Sequence, residues 1–469
     1  MAADGLDKRA LESRLARYGQ EHVLAFWDEL DAAGRAQLAE QLADIDLDLV
    51  DSLYRTGSDA VNFAELARRA EPPHAIRLAG DQNPFSPEAA RARGEAALRE
   101  GQVAVLVTAG GQGSRLGFAH PKSLYKIGPI SGASLLQIHI EKIRATARRY
   151  GVSVPLYVMT SPVTDQETRR FLDEHDRFGL AADDVFVFCQ GTMPAVDAAT
   201  GKLLLAGRDR LFLSPDGHGG TVKALRRSEA FADLARRGIE HIFYFQVDNP
   251  LATVCDPEFI GYHLLAESEY TLQVIGKRSP QEKLGNVVRV DERTQIIEYS
   301  DLPDEAAEWR NDDGSLKLWA GSIAVHMFGV DFLRRVAESD VGLPFHRAIK
   351  RVPHLGEGGE PVEPAEPNAV KFEQFIFDLL PLARESLSVE VAADDTFAAL
   401  KNAPGAPLES PEYVQRMMSD LHRRWLRQVG AEVDEQTIVE ISPLFALDAE
   451  QLAERVAPGT VVSDDTYFC

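Results

Sequence analysis

The feature that most limits the fold of this chain is a glycine-rich segment placed directly after a run of apolar residues. Residues 103–107 have the composition of a buried strand, and they lead into Ala109-Gly110-Gly111-Gln112-Gly113-Ser114-Arg115-Leu116-Gly117. Glycines let the backbone approach a ligand closely, and consecutive N–H groups in such a loop bind anions. Arg115 and the later Lys122 add positive charge. The segment therefore predicts a cradle for a nucleoside triphosphate at the carboxyl end of a strand.

The spacing of these glycines excludes two commoner phosphate-binding loops. The dinucleotide fingerprint is G-x-G-x-x-G, whereas Gly111 and Gly113 are followed by three residues before Gly117. The P-loop ends in Gly-Lys-Ser or Gly-Lys-Thr, and the chain contains neither. An ordinary turn is the remaining alternative, but a turn needs one or two glycines rather than four with two cations.

The charge balance excludes large anionic partners. The chain has 50 basic and 73 acidic residues, a formal net charge of −23. Nucleic acids and anionic membranes both require basic surfaces, so neither is an expected partner. An anionic substrate must find a locally basic pocket, for which Arg115, Lys122 and Lys371 are the candidates.

The remaining bulk features indicate an ordinary globular protein of the cytosol. The 469 residues suggest two or three domains, and no apolar run approaches the roughly 18 residues of a membrane span. The N-terminus lacks the apolar core of a secretion signal. Cys189, Cys255 and Cys469 are far apart, which favours free thiols over a disulfide framework or a zinc site.

The pattern of apolar residues predicts an α/β fold with three regions. We expect a helical N-terminal region over 1–100, a central domain over 101–385 and a small α+β domain over 386–469. Alternating strands and helices in the central region imply a mostly parallel sheet with crossover helices. The expected strands cover 103–108, 154–160, 185–189, 241–247, 270–276, 286–290, 295–299, 320–327 and 387–391. The expected helix signals are Ser86-Pro87, Ser134 with Gly151, a capping box from Thr164 to Glu167, and a helix near 411–428.

Several polar residues stand where such a sheet would place a site. Asp248 follows a strand, where it can either hold Mg²⁺ or cap the next turn. The glycine-rich loop 214–220 enters a helix, and its N–H groups suit a phosphate or the polar edge of a ring. Gln190 has a donor and an acceptor that match uracil. Lys371 is expected at the start of a helix, a position unfavourable for the helix dipole, which favours a functional role.

The segment from Gly110 to Lys122 resembles the signature G-G-x-G-[ST]-R-L-G-x-x-x-P-K of the UTP-dependent sugar-1-phosphate uridylyltransferases. The run 109–143 is most similar to the eukaryotic-type UDP-N-acetylglucosamine pyrophosphorylases. The resemblance implies a Rossmann-like mixed sheet of the nucleotide-diphospho-sugar transferase type, with nucleotidyl transfer in the central domain. The implied substrates are UTP and a sugar 1-phosphate, with Mg²⁺ or Mn²⁺ as cofactor.

The resemblance also implies a role for each matched residue. Arg115, Lys122 and Lys371 are expected to handle the phosphates, and Asp248 to hold the metal. The expected nucleotide-binding residues are Ala109, Gly110, Gly111, Gly113, Gln190 and Gly217. The expected sugar-binding residues are His218, Gly285, Glu298 and Ser322, of which Gly285, Glu298 and Ser322 end or follow strand-like runs.

Two positions depart from the acetamido-sugar branch of that family. The branch has asparagine where this chain has His218 and Ser322, and both positions face the sugar. N-Acetylglucosamine 1-phosphate is the first expectation, with glucose or galactose 1-phosphate as the alternative. A catalytically silent nucleotide-sugar sensor or scaffold is the alternative from another class. A NAD-binding dehydrogenase is disfavoured by the glycine spacing, and self-association is left open.

Overall fold

The computed structural model describes residues 8–55, 62–80, 82–339 and 342–469. The chain divides into two compact units, each assembled from three separate stretches. The first unit comprises Met1–Asn62, Gln190–Thr221 and Leu343–Asp378, and the second comprises Phe63–Cys189, Val222–Gly342 and Leu379–Cys469. The three regions expected from the sequence stay a prediction.

Helices and short strands alternate along most of the chain. The α-helices are α1 Lys8–Ala16, α2 Ala32–Asp44, α3 Leu47–Arg55, α4 Phe63–Arg69, α5 Pro87–Arg99, α6 Leu135–Tyr150, α7 Asp165–Glu174, α8 Thr221–Arg227, α9 Ala230–Arg237, α10 Pro257–Leu265, α11 Asp304–Ala307, α12 Val330–Glu338, α13 Ala393–Thr396, α14 Pro411–Gln428 and α15 Ala449–Ala453. Within the described ranges, no helix combines the length and the apolar character that a bilayer crossing requires.

The strands are β1 Ala75–Ile76, β2 Val103–Thr108, β3 Leu156–Thr160, β4 Val185–Cys189, β5 Thr192–Pro194, β6 Val196–Asp197, β7 Leu205–Gly207, β8 Arg210–Leu211, β9 Leu213–Pro215, β10 His241–Gln246, β11 Tyr270–Gly276, β12 Gly285–Val290, β13 Arg293–Ile297, β14 Ala320–Gly329, β15 His346–Lys350, β16 His354–Leu355, β17 Pro361–Val362, β18 Ala369–Glu373, β19 Ser386–Glu390, β20 Glu432–Val433, β21 Val439–Ile441, β22 Val461–Val462 and β23 Thr466–Phe468. The strands expected from the sequence are confirmed to within two residues at either end.

The second unit is built on a mixed sheet. Among the described residues this sheet has ten strands, eight of them in the order β1-β19-β11-β14-β10-β2-β3-β4, with β12 and β13 joined through β14. The pairs β1–β19, β19–β11, β10–β2, β2–β3 and β3–β4 are parallel, whereas β14 is antiparallel to β10 and β11. The predicted α/β fold with a mostly parallel sheet is therefore confirmed.

The predicted signals at helix ends are mostly confirmed. The Ser134 hydroxyl accepts a hydrogen bond from the N–H of Gln137 at the start of α6, and Gly151 ends this helix with a φ of 69°. Ser86 caps α5 in the same way. A side-chain acceptor satisfies an N–H group that has no partner within the helix, and glycine adopts the left-handed conformation without strain.

The capping box predicted at Thr164 is wrong. Thr164 has φ −104° and ψ −15°, close to helical, and its side chain makes no capping hydrogen bond to α7. Its hydroxyl instead accepts a hydrogen bond from the N–H of Ser161 (3.0 Å). An N-cap residue needs a non-helical backbone, which Thr164 lacks. Its hydroxyl therefore binds within the preceding turn and does not cap α7.

The first unit packs N-terminal helices on small sheets. Its core combines Leu38 and Leu42 of α2 with Leu211 of β8 and with Val370 and Phe372 of β18. Strand β18 lies between β15 and β6. Val370 and Phe372 are buried in this core, whereas Lys371 and Glu373, which point to the other face of β18, are half-buried.

The prediction of a helix start at Lys371 is wrong, because this residue lies within strand β18, opposite Ala348 of β15. The alternation of apolar residues at 370 and 372 is the period-2 signal of a strand. A helix dipole therefore has no bearing on the role of Lys371.

Helices α5 and α10 cross with their backbones in contact. A Cβ atom added to Gly94 would lie 1.8 Å from the carbonyl oxygen of Pro257, and one added to Gly261 would lie 1.7 Å from the carbonyl oxygen of Ala90. Both obstacles are backbone atoms, which cannot move aside as a side chain can. The crossing therefore requires glycine on both helices.

We expect Gly261→Ala to lower the free energy of unfolding by about 3 kcal/mol, the upper end for overpacking of a tight interior. Alanine would otherwise favour a helix interior by about 1 kcal/mol. The measurement is denaturant unfolding followed by circular dichroism. Gly34→Ala in α2 is the control, because its Cβ would lie 3.3 Å from the nearest atom, the Asp209 side chain. Equal midpoints for the two variants would contradict the backbone contact.

Candidate active site

The glycine loop, residues 109–122, closes on itself after strand β2. The N–H of Lys122 donates to the carbonyl of Gly111 (3.0 Å), and the N–H of Phe118 donates to the carbonyl of Gly113 (3.1 Å). A Cβ atom on Gly113 would lie 2.7 Å from the Phe118 ring, so this glycine is required for the close fold of the loop. These bonds give the loop a fixed shape without a bound ligand.

The first residues of the glycine loop are anchored to strand β3 and the turn after it. The buried Ala109 donates its N–H to the carbonyl of Met159 (2.7 Å), and the carbonyl of Gly110 accepts from the Ser161 hydroxyl (2.8 Å). Gly111 is exposed, and a Cβ atom there would meet nothing within 4 Å. The carbonyls are thus held by the protein, and the open space at Gly111 allows an anionic ligand to approach its N–H.

Asp248 lies beside the glycine loop, because it follows β10, which pairs with β2 in parallel. Asp248 is 7% exposed, and its carboxylate oxygen Oδ2 lies 3.0 Å from Nζ of Lys122. Burial raises the pKa of Asp248, but the charges of Lys122 and Lys401 outweigh this effect, so the pKa lies below its ordinary value. Asp248 is therefore an ionised carboxylate at neutral pH.

Arg115 supplies positive charge at the exposed edge of the glycine loop. It lies in a single 3₁₀ turn, Ser114–Leu116, directly after Gly113. Arg115 is exposed, and within the described part of the chain no carboxylate forms a salt bridge with it. A cation in this position can bind a phosphate without first breaking an ion pair.

The predicted sugar-binding residues of the second unit lie together. Gly285 of β12 pairs with Ser322 of β14, and a Cβ atom on Gly285 would lie 3.1 Å from Oε1 of Glu298. Glu298 follows β13, as expected. Gly285 and Ser322 instead lie at or near the beginnings of their strands, so the prediction that both end or follow strands is wrong for them. Because β12 is antiparallel to both β13 and β14, the beginning of one strand lies beside the end of its neighbour.

The predicted base-binding residues lie in the first unit. The Gln190 amide donates to the carbonyl of Gly217 (3.4 Å) and to the carboxylate of Asp216 (3.4 Å). Gly217 has a φ of 85°, and a Cβ atom there would lie 2.4 Å from the carbonyl oxygen of Gln374. Glycine is thus required at Gly217 for both its conformation and its packing.

His218 is held against an aromatic ring of the first unit. Its Nδ1 accepts a hydrogen bond from the N–H of Ile376 (3.0 Å), and its ring stacks on Phe375 with centroids 5.3 Å apart. Because Nδ1 is the acceptor, Nε2 has the proton in the neutral ring. Lys371 lies with its Nζ 5.1 Å from the centre of the Phe212 ring, and burial lowers its pKa.

No role could be derived from the sequence for two residues that contact the Asp248 segment, Lys401 and Asn249. The N–H of Leu400 donates to the carbonyl of Asp248 (2.8 Å), which places the neighbouring Lys401 near that carboxylate. The Asn249 amide donates to the carbonyl of Thr396 (2.8 Å). These contacts join segments about 150 positions apart in the chain, a separation that no local pattern reports.

The donor set at Asp248 suits a metal that arrives with its substrate. Within the described residues, no group of three or more His, Cys, Asp or Glu side chains is arranged to hold a metal ion. Mg²⁺ is commonly bound by one or two carboxylates together with substrate phosphates and water. A single ionised carboxylate beside a phosphate cradle fits that mode and does not fit a resident metal centre.

Comparisons with known proteins agree with this geometry. A family model described as UTP–glucose-1-phosphate uridylyltransferase matches residues 71–451. The human UDP-N-acetylhexosamine pyrophosphorylase-like protein 1 is 36% identical over 475 residues, covering 94% of this chain and 93% of the human protein. The UDP-N-acetylglucosamine pyrophosphorylase of Saccharomyces cerevisiae is 37% identical over 366 residues, covering 76% of each chain. The crystal structure of the Trypanosoma brucei uridine diphosphate N-acetylglucosamine pyrophosphorylase with an inhibitor superposes with a TM-score of 0.81, at 27% identity over 99% of both chains.

Proposed function

The chain belongs to the UTP–glucose-1-phosphate uridylyltransferase family and is a uridylyltransferase, and we propose that its sugar substrate is N-acetylglucosamine 1-phosphate. The family uses UTP and a sugar 1-phosphate. The observation that supports this activity best is the pairing of β10 with β2, which sets Asp248 and Lys122 beside the glycine loop. The relatives named for N-acetylglucosamine support the choice of sugar.

The reaction needs alignment and charge neutralisation more than proton transfer. A phosphate oxygen of the sugar 1-phosphate attacks the α-phosphorus of UTP, the bond from that phosphorus to the β-phosphate oxygen breaks, and pyrophosphate leaves. The attacking phosphate is already anionic at neutral pH, so no general base is required. Phosphoryl chemistry of this kind depends on positioning and on electrostatic stabilisation.

We assign the phosphate contacts to three cations. The N–H groups of the glycine loop and Arg115 hold the β- and γ-phosphates, which become pyrophosphate. Lys122 binds at the α-phosphate, where its ion pair with Asp248 already orients the ammonium group (3.0 Å). Lys371 would hold the incoming sugar phosphate. Burial lowers its pKa, and the negative charge of a bound phosphate would stabilise its ammonium form again.

Asp248 would hold Mg²⁺ or Mn²⁺ on the α-phosphate. The bound metal supplies positive charge that stabilises the phosphate oxygens in the transition state. Asp248 is kept ionised by Lys122 and Lys401, so it is ready to coordinate a hard cation at neutral pH. The cytosol is the proposed location of this reaction.

We propose roles in base and sugar binding for the remaining candidate residues. Gln190 and Gly217 bind the uracil ring, and Gly285, Glu298, Ser322 and His218 bind the sugar. We propose that Glu298 accepts hydrogen bonds from sugar hydroxyls and that His218, whose Nδ1 accepts from the N–H of Ile376, contacts the sugar. His218 and Ser322 stand where the acetamido-sugar branch is expected to have asparagine, so this chain has two fewer amide partners for an acetamido group.

The experiment that tests the proposal is pyrophosphate release from UTP and Mg²⁺ with four sugar 1-phosphates: N-acetylglucosamine, N-acetylgalactosamine, glucose and galactose. We expect release to depend on sugar, and kcat/KM to be highest for N-acetylglucosamine 1-phosphate. The yeast relative, assayed alongside, shows that the conditions support turnover.

Each other outcome has a definite meaning. A higher kcat/KM for glucose or galactose 1-phosphate would overturn the choice of sugar and would agree with the loss of asparagine at positions 218 and 322. If no sugar supports pyrophosphate release while the yeast relative turns over, the alternative function, a catalytically silent nucleotide-sugar sensor or scaffold, would be favoured.

A further inference from the structure

We infer that Lys142 is a positioning residue for Asp248, because it binds two backbone carbonyls of the segment that bears this aspartate. The inference rests on the proposed function, in which Asp248 acts on the metal–UTP complex. Lys142 belongs to helix α6, and among the described residues its side chain donates to Pro250 and Ala252 rather than to the glycine loop, so we infer that it acts through Asp248.

The contacts of Lys142 are made to the turn that follows β10. Its Nζ donates to the carbonyl of Pro250 (2.5 Å) and to the carbonyl of Ala252 (2.8 Å). Both carbonyls lie outside strands and helices, where the backbone provides no regular donor. One ammonium group thus satisfies two acceptors at once and fixes the path of the chain two residues after Asp248.

A second side chain of α6 holds the residue before Asp248. His139, one helical turn from Lys142, donates from Nε2 to the carbonyl of Val247 (3.0 Å). Burial lowers the pKa of His139 to about 3, so its ring is neutral at pH 7 and Nε2 has the proton. Asp248 is therefore bracketed by two hydrogen-bonding side chains from one face of α6.

The opposite side of the segment is tied to residues 396–400. The N–H of Ala398 donates to the Asn249 side-chain oxygen (3.0 Å), and the N–H of Leu400 donates to the carbonyl of Asp248 (2.8 Å). The Asp248 segment is thus hydrogen-bonded both to helix α6 and to this C-terminal stretch. Loss of the Lys142 contacts would leave the carbonyls of Pro250 and Ala252 without their hydrogen bonds to α6.

Lys142 has no evident role other than these contacts. It is half-buried, and within the described residues no carboxylate forms a salt bridge with it. Burial lowers its pKa to about 7, and both the ammonium and the neutral amine have enough N–H groups for two carbonyls. A methionine of similar length would fill the same space at less cost, so the donors are what the position requires.

The test compares Lys142→Met with Arg144→Met. Arg144 lies on the same helix and donates to the carbonyl of Phe178 (2.5 Å), which belongs to a different segment. We expect Lys142→Met to lower kcat about 10- to 100-fold, as for residues that orient a metal ligand, and to weaken Mn²⁺ binding in the presence of UTP by a similar factor. The Mn²⁺ affinity is read from electron paramagnetic resonance at a temperature where both variants are folded.

The control separates positioning from general destabilisation. Arg144→Met is expected to lower the midpoint of thermal unfolding while kcat and Mn²⁺ affinity stay within twofold of the parent. The conservative Lys142→Arg, which keeps N–H donors, is expected to recover at least part of the Mn²⁺ affinity. Equal kcat and Mn²⁺ affinity for the Lys142→Met and Arg144→Met variants would overturn the inference.

Two further measurements keep the inference testable if the first variant fails. If Lys142→Met does not fold, His139→Leu is the substitute variant, and we expect it to lower both kcat and Mn²⁺ affinity. Unchanged kcat and Mn²⁺ affinity in His139→Leu would contradict the positioning of Asp248 by side chains of α6. Should the parent protein show no turnover, the proposed function fails on its own. Amide hydrogen exchange over 247–252 then decides: faster exchange in Lys142→Met than in Arg144→Met supports positioning, and equal exchange overturns it.

Discussion

Replacing Asp248 by asparagine is expected to lower kcat by about 10²- to 10³-fold, the range for loss of one electrostatic stabiliser. The substitution keeps the size of the side chain and removes its charge. The pKa of Asp248 lies below its ordinary value, so the parent carboxylate is ionised throughout the neutral range. Asparagine is a weaker ligand for Mg²⁺, and it also leaves Lys122 without its ion-pair partner.

The measurement is kcat as a function of Mg²⁺ concentration at saturating UTP and sugar 1-phosphate. The asparagine variant should need more Mg²⁺ for half-maximal rate, and the rate at saturation should stay low. Asp233→Asn is the control, since Asp233 is a half-buried aspartate of α9 that binds Tyr157 and Arg237 within the fold. A kcat within threefold of the parent for Asp248→Asn would remove Asp248 from the metal site.

Replacing Arg115 by alanine is expected to lower kcat/KM by about 10²-fold or more. Arg115 is exposed in the turn Ser114–Leu116, and its side chain supports no packing that its removal would disturb. Its loss should therefore leave the unfolding midpoint unchanged while the triphosphate loses a cationic partner. Lysine at this position restores the charge without the planar pair of donors, so Arg115→Lys is expected to recover only part of the rate.

The rate loss of Arg115→Ala should divide between binding and catalysis. Calorimetric titration with UTP gives the affinity, and steady-state kinetics gives kcat, so the two contributions are measured separately. Arg148→Ala removes an exposed arginine of α6 and serves as the control for net charge. If Arg115→Ala and Arg148→Ala have the same kcat/KM, the phosphate contact assigned to Arg115 does not exist.

The sequence predicted the parts of this fold that depend on local pattern. The apolar run before the glycine loop is a strand, Ser134 and Gly151 bound α6, and Asp248 follows a strand, all as expected. Each of these features depends on residues within a few positions of one another. Period, capping and glycine placement report such short-range structure well.

The errors arose where two local signals competed. Lys371 lies in a strand because the alternation around it prevails over the preceding proline-rich stretch. The Thr164 hydroxyl accepts from the N–H of Ser161 in the preceding turn and does not cap the helix. At Lys371 the alternating apolar residues indicated the strand that forms, whereas the preceding prolines had suggested a helix start. At Thr164 the spacing to Glu167 had suggested a capping box that does not form.

The missed residues share a different cause. Lys142 and Lys401 meet the Asp248 segment across more than 100 positions of chain, through backbone carbonyls and charge. A backbone carbonyl has no sequence signature, so no pattern can pair it with a distant lysine. The adjacency of Gly285 to Ser322 likewise follows from strand pairing, which is known only once the sheet is formed.

The order of strands in the main sheet constrains how this protein can be made on a ribosome. Strand β1 pairs with β19, at Ala75↔Ser388, and β19 also pairs with β11. The edge of the sheet that contains β1 therefore cannot form until residues near 390 have left the exit tunnel. Pairings of such long sequence separation are slow to form, because a large loop must close first. Between the synthesis of β11 and that of β19, the nascent chain presents an unpaired strand edge at β11, and such an edge can pair with other chains unless a chaperone protects it.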